Sequence, residues 1–123
     1  MSDSAKTDRE ASRACVLLVE DDTDLREVLS DMLELEGWQV VVASNGRAAL
    51  DVDASQLTAA VIDLTLPDLS GLEVARKLSA SRPGLRVVIM SGFAQAEAVP
   101  GATWLEKPFA VSALLRLLRP ARS

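Results

Sequence analysis

The chain has 123 residues, of which 49% are hydrophobic and 25% are charged, and its formal net charge is −5. This length and apolar content predict one compact domain, and the acidic balance argues against binding nucleic acid through counterion release. Histidine is absent and cysteine occurs once, which excludes Ser-His-Asp catalysis, histidine-bound zinc and an intramolecular disulfide.

The chain opens with a polar and charged stretch. We expect residues 1–13 to form an N-terminal tail and residues 14–120 to form the folded domain. The tail has no apolar stretch of signal-peptide type, and no run in the chain is long enough to cross a bilayer. We therefore expect a cytoplasmic protein with no membrane partner.

Short apolar segments alternate with amphipathic ones along the rest of the chain. The sequence predicts strands at 15–20, 38–44, 59–63, 86–91 and 103–107. Helices are predicted between them, at 22–36, 46–56, 71–81 and 110–119. The first helix carries an apolar stripe, most of which we expect in the core: Leu25, Val28, Leu29, Met32 and Leu33. Strand–helix alternation implies right-handed crossovers, hence a three-layer, doubly wound α/β fold with a parallel sheet.

Polar residues stand at the ends of the predicted strands. They are Glu20 and Asp21 after the first strand, Asp63 at the end of the third, Ser91 at the end of the fourth and Lys107 at the end of the fifth. Ligands of open parallel sheets bind at this edge. Clustered carboxylates repel unless a cation lies among them, and ligands that are all oxygen suit Mg²⁺. With a lysine for phosphate oxygens and a hydroxyl donor, the set indicates phosphoryl transfer with Asp63 as the nucleophile.

Four ordered segments resemble a known family. "VLLVEDD", "VIDLTLPDLSG", "VVIMSG" and "LEKPF", within residues 14–119, are similar to the signature segments of two-component response-regulator receiver domains, the CheY-like superfamily. The resemblance implies a five-stranded, flavodoxin-like sheet in the order 2-1-3-4-5. It also implies a regulatory domain that accepts a phosphoryl group and is not an enzyme acting on other substrates.

The resemblance assigns a role to each strand-end residue. It makes Asp63 the phospho-acceptor and one of the metal ligands, with Mg²⁺ also held directly by Asp21, through water by Glu20, and by the backbone carbonyl of Thr65. Ser91 would meet the phosphoryl group, where Gly92 leaves it room.

At the end of the fifth strand the resemblance assigns three more features. Lys107 would pair with the phosphoryl oxygens, and the Lys107–Pro108 bond would be cis. Trp104 falls at the aromatic switch position, although it is larger than the usual tyrosine or phenylalanine.

The resemblance also implies partners. The phosphoryl donor would be a histidine kinase or a histidine phosphotransfer protein acting in trans, since this chain has no histidine. A downstream protein would receive the signal. Only 15 residues separate Ser91 from Lys107, which predicts a short fourth helix like that of receivers attached to hybrid sensor kinases. We expect this shortened segment to leave the chain monomeric.

Two other functions stay open from the sequence. A phosphatase of the haloacid-dehalogenase type also uses a nucleophilic aspartate at a strand end, but it needs a second aspartate two residues later, where this chain has Thr65. The other is a receiver-like module that binds partners without being phosphorylated.

Overall fold

A computed structural model describes residues 14–93 and 101–119 of the chain. Within these residues five parallel strands form one sheet in the order β2-β1-β3-β4-β5. The strands are β1 (Cys15–Val19), β2 (Gln39–Ala43), β3 (Ala59–Asp63), β4 (Arg86–Ser91) and β5 (Ala102–Glu106). The predicted α/β fold and strand order are confirmed.

The helices described are α1 (Thr23–Leu35), α2 (Gly46–Leu50), α3 (Gly71–Ser81) and α4 (Val111–Leu118). None of the helices in the described part of the chain has the length and apolar content needed to span a membrane. The predicted N-terminal tail lies outside the described residues, and so do residues 94–100, where the short fourth helix was expected.

The prediction of one helix over 46–56 is wrong. The α-helix ends at Leu50, and a separate 3₁₀ turn follows at Ala54–Gln56. The Asp53 carboxylate accepts hydrogen bonds from both the N–H and the hydroxyl of Ser55. Such local bonds compete with helical ones, so the chain starts a new turn at this point.

Each face of the sheet is covered by its own pair of helices. Successive strand residues point to opposite faces, so Leu17 lies in the apolar cluster formed with α2 and α3. Leu18 lies in the cluster formed with α1 and α4. Both faces of β1 and β3 are buried, so the polar side chains Glu20 and Asp63 stand at the C-terminal ends of these two strands.

The apolar stripe of α1 is only partly core, which corrects the expectation from its spacing. Leu29 and Leu33 are buried, whereas Val28 is 53% exposed and Met32 is 37% exposed. Val28 lines a groove with Phe109 at the start of α4 instead of packing on the sheet. The helix therefore presents to solvent, beside its buried face, an apolar edge formed by Val28 and Met32.

Gly71 allows the start of α3 to approach the end of β3. A Cβ atom at this position would collide with the carbonyl oxygen of Asp63 and would lie 2.7 Å from the Cα of Leu64. The Gly71 N–H donates to the Leu64 carbonyl at 2.8 Å. Only glycine fits this approach, which fixes the loop after Asp63 against the helix.

Gly71→Ala should therefore lower the free energy of unfolding by about 1–3 kcal/mol, because the colliding atoms belong to the backbone and not to a flexible side chain. Gly92→Ala is the control, since a Cβ there meets nothing within 4 Å. Urea denaturation of both variants tests this. Equal stability of the two variants would contradict the close approach.

Candidate functional site

Three carboxylates converge at the C-terminal edge of the sheet. Glu20 and Asp21 follow β1, and Asp63 ends the neighbouring strand β3. One carboxylate oxygen from each lies within 4.8 Å of the others. Glu20 and Asp63 are buried, whereas Asp21 is exposed. The structure thus brings together the acidic residues that the sequence singled out, in a position open to solvent on the Asp21 side.

Asp22, the next carboxylate in the chain, has a different place. Its side chain caps α1 by accepting the Leu25 N–H at 3.1 Å. Its own N–H donates to Oε2 of Glu20 at 3.1 Å. Asp22 therefore orients the acidic cluster through its backbone.

Lys107 joins the two buried carboxylates. Its Nζ lies 3.2 Å from Oε1 of Glu20 and 3.4 Å from Oδ1 of Asp63. Burial by itself would lower the pKa of Lys107, but the Asp63 and Glu20 carboxylates outweigh it and raise the pKa above its usual value. The ammonium group is therefore charged at neutral pH and is held where negative oxygens gather.

One lysine does not balance this cluster. Burial raises the pKa of Glu20 to about 7, the nearby Asp63 carboxylate adds to the rise, and the Asp22 N–H and Lys107 offset it in part. Because the Asp63 carboxylate contributes to this rise, a positive charge added beside the two carboxylates would lower the pKa of Glu20. Because its ligands are oxygen only, the donor set fits a hard divalent cation.

Ser91 and Thr65 lie beside Asp63. Thr65 is exposed, and its N–H lies 3.4 Å from Oδ1 of Asp63. Ser91 is buried at the end of β4, and its carbonyl accepts the Lys107 N–H at 2.6 Å. The Lys107–Pro108 peptide bond is cis. All the predicted site residues except Trp104 therefore lie at one edge of the sheet, around Asp63.

Trp104 connects to this edge through Phe93, which the sequence reasoning missed. The Phe93 N–H donates to the Ser91 hydroxyl at 2.9 Å, and the Trp104 indole N–H donates to the Phe93 carbonyl at 3.0 Å. The Phe93 side chain is 66% exposed. An aromatic residue two positions after a strand-end serine was the available signal, but its hydrogen bonds depend on tertiary structure.

An apolar groove runs beside Lys107. Leu25 and Val28 of α1 line one side of it, and Phe109 and Val111 line the other. Leu29, which also borders the groove, is buried. The groove adjoins the acidic cluster at Lys107, which lines the groove and also pairs with Glu20 and Asp63.

Comparison with known proteins identifies the family. A sequence model of the response regulator receiver domain matches residues 16–119. The chain belongs to this family. Receiver domains are regulatory modules that interact with histidine kinases and with downstream partners, and their acidic pocket binds a metal ion.

Similar proteins agree with this assignment. The receiver domain is 37% identical over 111 residues to the response regulator MprA of Mycolicibacterium vanbaalenii. The aligned region covers 85% of this chain and 48% of that protein. The chain spans about half the length of the first curated relatives it matches.

Two solved structures share the fold. The CheY-like receiver domain protein from Methanospirillum hungatei is 29% identical, with a TM-score of 0.78 over 85% of this chain and 90% of that one. The response regulator TrrA from Thermotoga maritima, solved in complex with Mg²⁺-BeF, is 25% identical, with a TM-score of 0.75 over 84% of this chain and 94% of that one.

The stability of the metal-free receiver domain should fall as pH rises from about 4.5 to about 7. In that window the unfolded chain releases the Glu20 proton while the folded chain still holds it, so deprotonation favours unfolding. Glu20→Gln should remove this part of the pH dependence. Urea midpoints measured with chelator at a series of pH values test it.

Glu34→Gln is the control, because this glutamate is exposed on α1. It should leave the profile of the unmodified chain unchanged. The same slope in Glu20→Gln and in the unmodified chain would contradict the raised pKa of Glu20.

Proposed function

We propose that the chain takes a phosphoryl group from a partner phosphohistidine onto Asp63 and signals by a change of conformation around Ser91 and Trp104. The observation that carries this proposal is the position of the Asp63 carboxylate, buried at a strand end and 3.4 Å from the Lys107 ammonium. The chain has no histidine, so the donor histidine lies outside this chain.

In the proposed transfer, an Asp63 carboxylate oxygen attacks phosphorus as the bond from phosphorus to the donor imidazole breaks. The electron pair of that bond stays on the imidazole nitrogen. Lys107 stabilises the negative charge on the phosphoryl oxygens. Its ammonium group is already held in place by the carboxylates of Glu20 and Asp63. The buried Ser91 hydroxyl supplies a hydrogen-bond donor at the neighbouring strand end.

Mg²⁺ is the cation that we propose for the acidic cluster. Glu20, Asp21, Asp63 and the backbone carbonyl of Thr65 would hold it, and it would supply charge neutralisation for the phosphoryl oxygens. The cluster of three carboxylates supports this, since a cation would relieve the repulsion between Glu20 and Asp63 that contributes to the raised pKa of Glu20. The TrrA structure holds Mg²⁺-BeF, which supports the same choice of ion.

The proposed conformational signal passes through Phe93. A phosphoryl group on Asp63 offers Ser91 a strong acceptor, and movement of the hydroxyl would disturb its bond from the Phe93 N–H. The Phe93 carbonyl in turn holds the Trp104 indole. Trp104 fluorescence should therefore respond to phosphorylation.

The phosphatase alternative is not favoured. Its acid–base step needs a carboxylate two residues after the nucleophile, and Thr65 stands there. We propose that the domain catalyses only its own phosphorylation and slow dephosphorylation. A module that binds partners without being phosphorylated would keep its mass after treatment with a phosphodonor. The receiver that we propose would gain the mass of one phosphoryl group.

Asp63→Asn should abolish the mass gain of one phosphoryl group that acetyl phosphate and Mg²⁺ produce in the unmodified chain. Asp22→Asn is the matched control, because Asp22 is a nearby carboxylate that caps α1. It should keep the gain. Intact-mass spectrometry in acid measures the gain in both variants. A full mass gain in Asp63→Asn would show that another residue accepts the phosphoryl group.

We further propose that the phosphohistidine partner docks on the exposed edge of α1. This edge lies next to Lys107 through the groove that Val28 lines, so a helical partner seated there would bring its histidine toward Asp63. We also propose that the protein is a cytoplasmic monomer and that it binds neither nucleic acid nor a membrane. The net charge of −5 supports the proposal that it does not bind nucleic acid.

Val28→Ser should slow phosphotransfer from a phosphohistidine donor by about fivefold to tenfold, the effect of losing an apolar contact worth about 1 kcal/mol. Its stability and its reaction with acetyl phosphate should stay unchanged, because the side chain is 53% exposed. Stopped-flow transfer kinetics measure this.

Leu29→Ala is the comparison variant, since Leu29 is buried and its truncation should cost about 2–5 kcal/mol of stability. If Val28→Ser slowed transfer only in proportion to a loss of folded protein, docking at this edge would be ruled out.

A further inference from the structure

We propose that Asp68 is a positioning residue for the metal site, because it fastens the loop that carries Thr65 to the start of α2. This loop, residues 64–70, is called the acceptor loop here because it follows Asp63. The inference rests on the proposed function, in which the Thr65 carbonyl contributes to cation binding.

The Asp68 carboxylate bridges two parts of the chain that are far apart in sequence. Its Oδ1 accepts the Gly46 N–H at 2.8 Å, and its Oδ2 accepts the Arg47 N–H at 2.9 Å. Oδ1 also accepts the N–H of Leu69 at 2.8 Å. The Arg47 and Gly46 N–H groups lower the pKa of Asp68 below its usual value, so the carboxylate is charged at neutral pH.

Helix α2 needs this contact. It has five residues, fewer than a helix requires to be stable without tertiary contacts. Its first three N–H groups all donate to side chains: Gly46 and Arg47 to Asp68, and Ala48 to Asn45 at 2.8 Å. In two of these three hydrogen bonds, the oxygen atom therefore belongs to Asp68 of the acceptor loop.

Packing reinforces the hydrogen bonds. A Cβ atom at position 46 would lie 2.8 Å from the Cβ of Leu69, so the start of α2 and the tip of the acceptor loop meet without a gap. Gly46 is buried at this contact. The packing and the two hydrogen bonds therefore hold the tip of the acceptor loop against the start of α2.

The same loop is closed at its base. The Gly71 N–H donates to the Leu64 carbonyl, the Leu64 N–H donates to the Met90 carbonyl, and Thr65 forms an antiparallel bridge with Ser70. Asp68 holds the tip between the bridged residues. A shift of the tip is therefore passed to Thr65, two residues from the acceptor.

Groups that orient metal ligands typically change metal affinity about tenfold or more when they are removed. Asp68→Ala should therefore weaken Mg²⁺ binding by roughly tenfold, measured by isothermal titration calorimetry of the chelator-stripped chain at constant pH and ionic strength. Mg²⁺ alone is the probe, so the result does not depend on phosphorylation.

Two control variants separate positioning from simpler effects. Asn45→Ala removes a cap from the same helix without touching the acceptor loop. Asp51→Ala removes a carboxylate just after the other end of α2. Both should bind Mg²⁺ nearly as the unmodified chain does. If Asn45→Ala weakened Mg²⁺ binding as much as Asp68→Ala does, Asp68 would act only as a helix cap. If Asp51→Ala weakened it as much, Asp68 would act only through its charge. Either result overturns the proposal.

Amide hydrogen exchange gives a second reading. Because binding at one end of a coupled contact stabilises the other, Mg²⁺ should slow exchange of the Gly46 and Arg47 amides in the unmodified chain and should not do so in Asp68→Ala. If Asp68→Ala fails to fold, Asp68→Asn replaces it, since it keeps one acceptor oxygen. A smaller but measurable loss of Mg²⁺ affinity is then expected, and no loss would overturn the proposal.

The outcomes also distinguish this inference from the proposed function. If the unmodified chain neither binds Mg²⁺ nor gains a phosphoryl group, the proposed function fails first. If it does both and Asp68→Ala binds Mg²⁺ as tightly, only the role of Asp68 is overturned.

Discussion

The ion pairs of Lys107 with Glu20 and Asp63 organise the functional edge of the molecule. Both carboxylates are buried, Asp21 adds a third negative group, and one ammonium faces them. Removing charges from water is costly unless partners replace the solvent. The raised pKa of Glu20 shows that the replacement is incomplete. The edge thus carries an unbalanced negative charge that a bound cation would relieve.

The strand order determines which side chains meet. β1 and β3 are neighbours, so the carboxylates that follow them lie side by side, and β4 separates β3 from β5. Lys107 follows β5 and still reaches Asp63, because lysine has a long flexible stem. Ser91 lies between them at the end of β4, where its carbonyl accepts the Lys107 N–H. A sheet in another order would scatter the same residues.

The loop after Asp63 is fixed by two residues outside the cluster of Glu20, Asp21, Asp63 and Lys107. Gly71 lets α3 begin against the end of β3, and Asp68 ties the loop to α2. Both are small or short residues whose role is to allow or hold a close approach of backbone. The loop that follows Asp63 is thus held by contacts with α3 and with α2, which lies on the other side of β1.

The sequence by itself determined the α/β class and the strand-end residues Glu20, Asp63 and Lys107, because buried strands and their polar ends leave local patterns. The sheet order came only from resemblance to a family. Tertiary structure alone decided that Val28 is exposed, that Phe93 joins Ser91 to Trp104, and that Asp68 caps a distant helix. The physical reason is that burial and hydrogen bonds between segments depend on which elements become neighbours, and spacing along the chain does not carry that information.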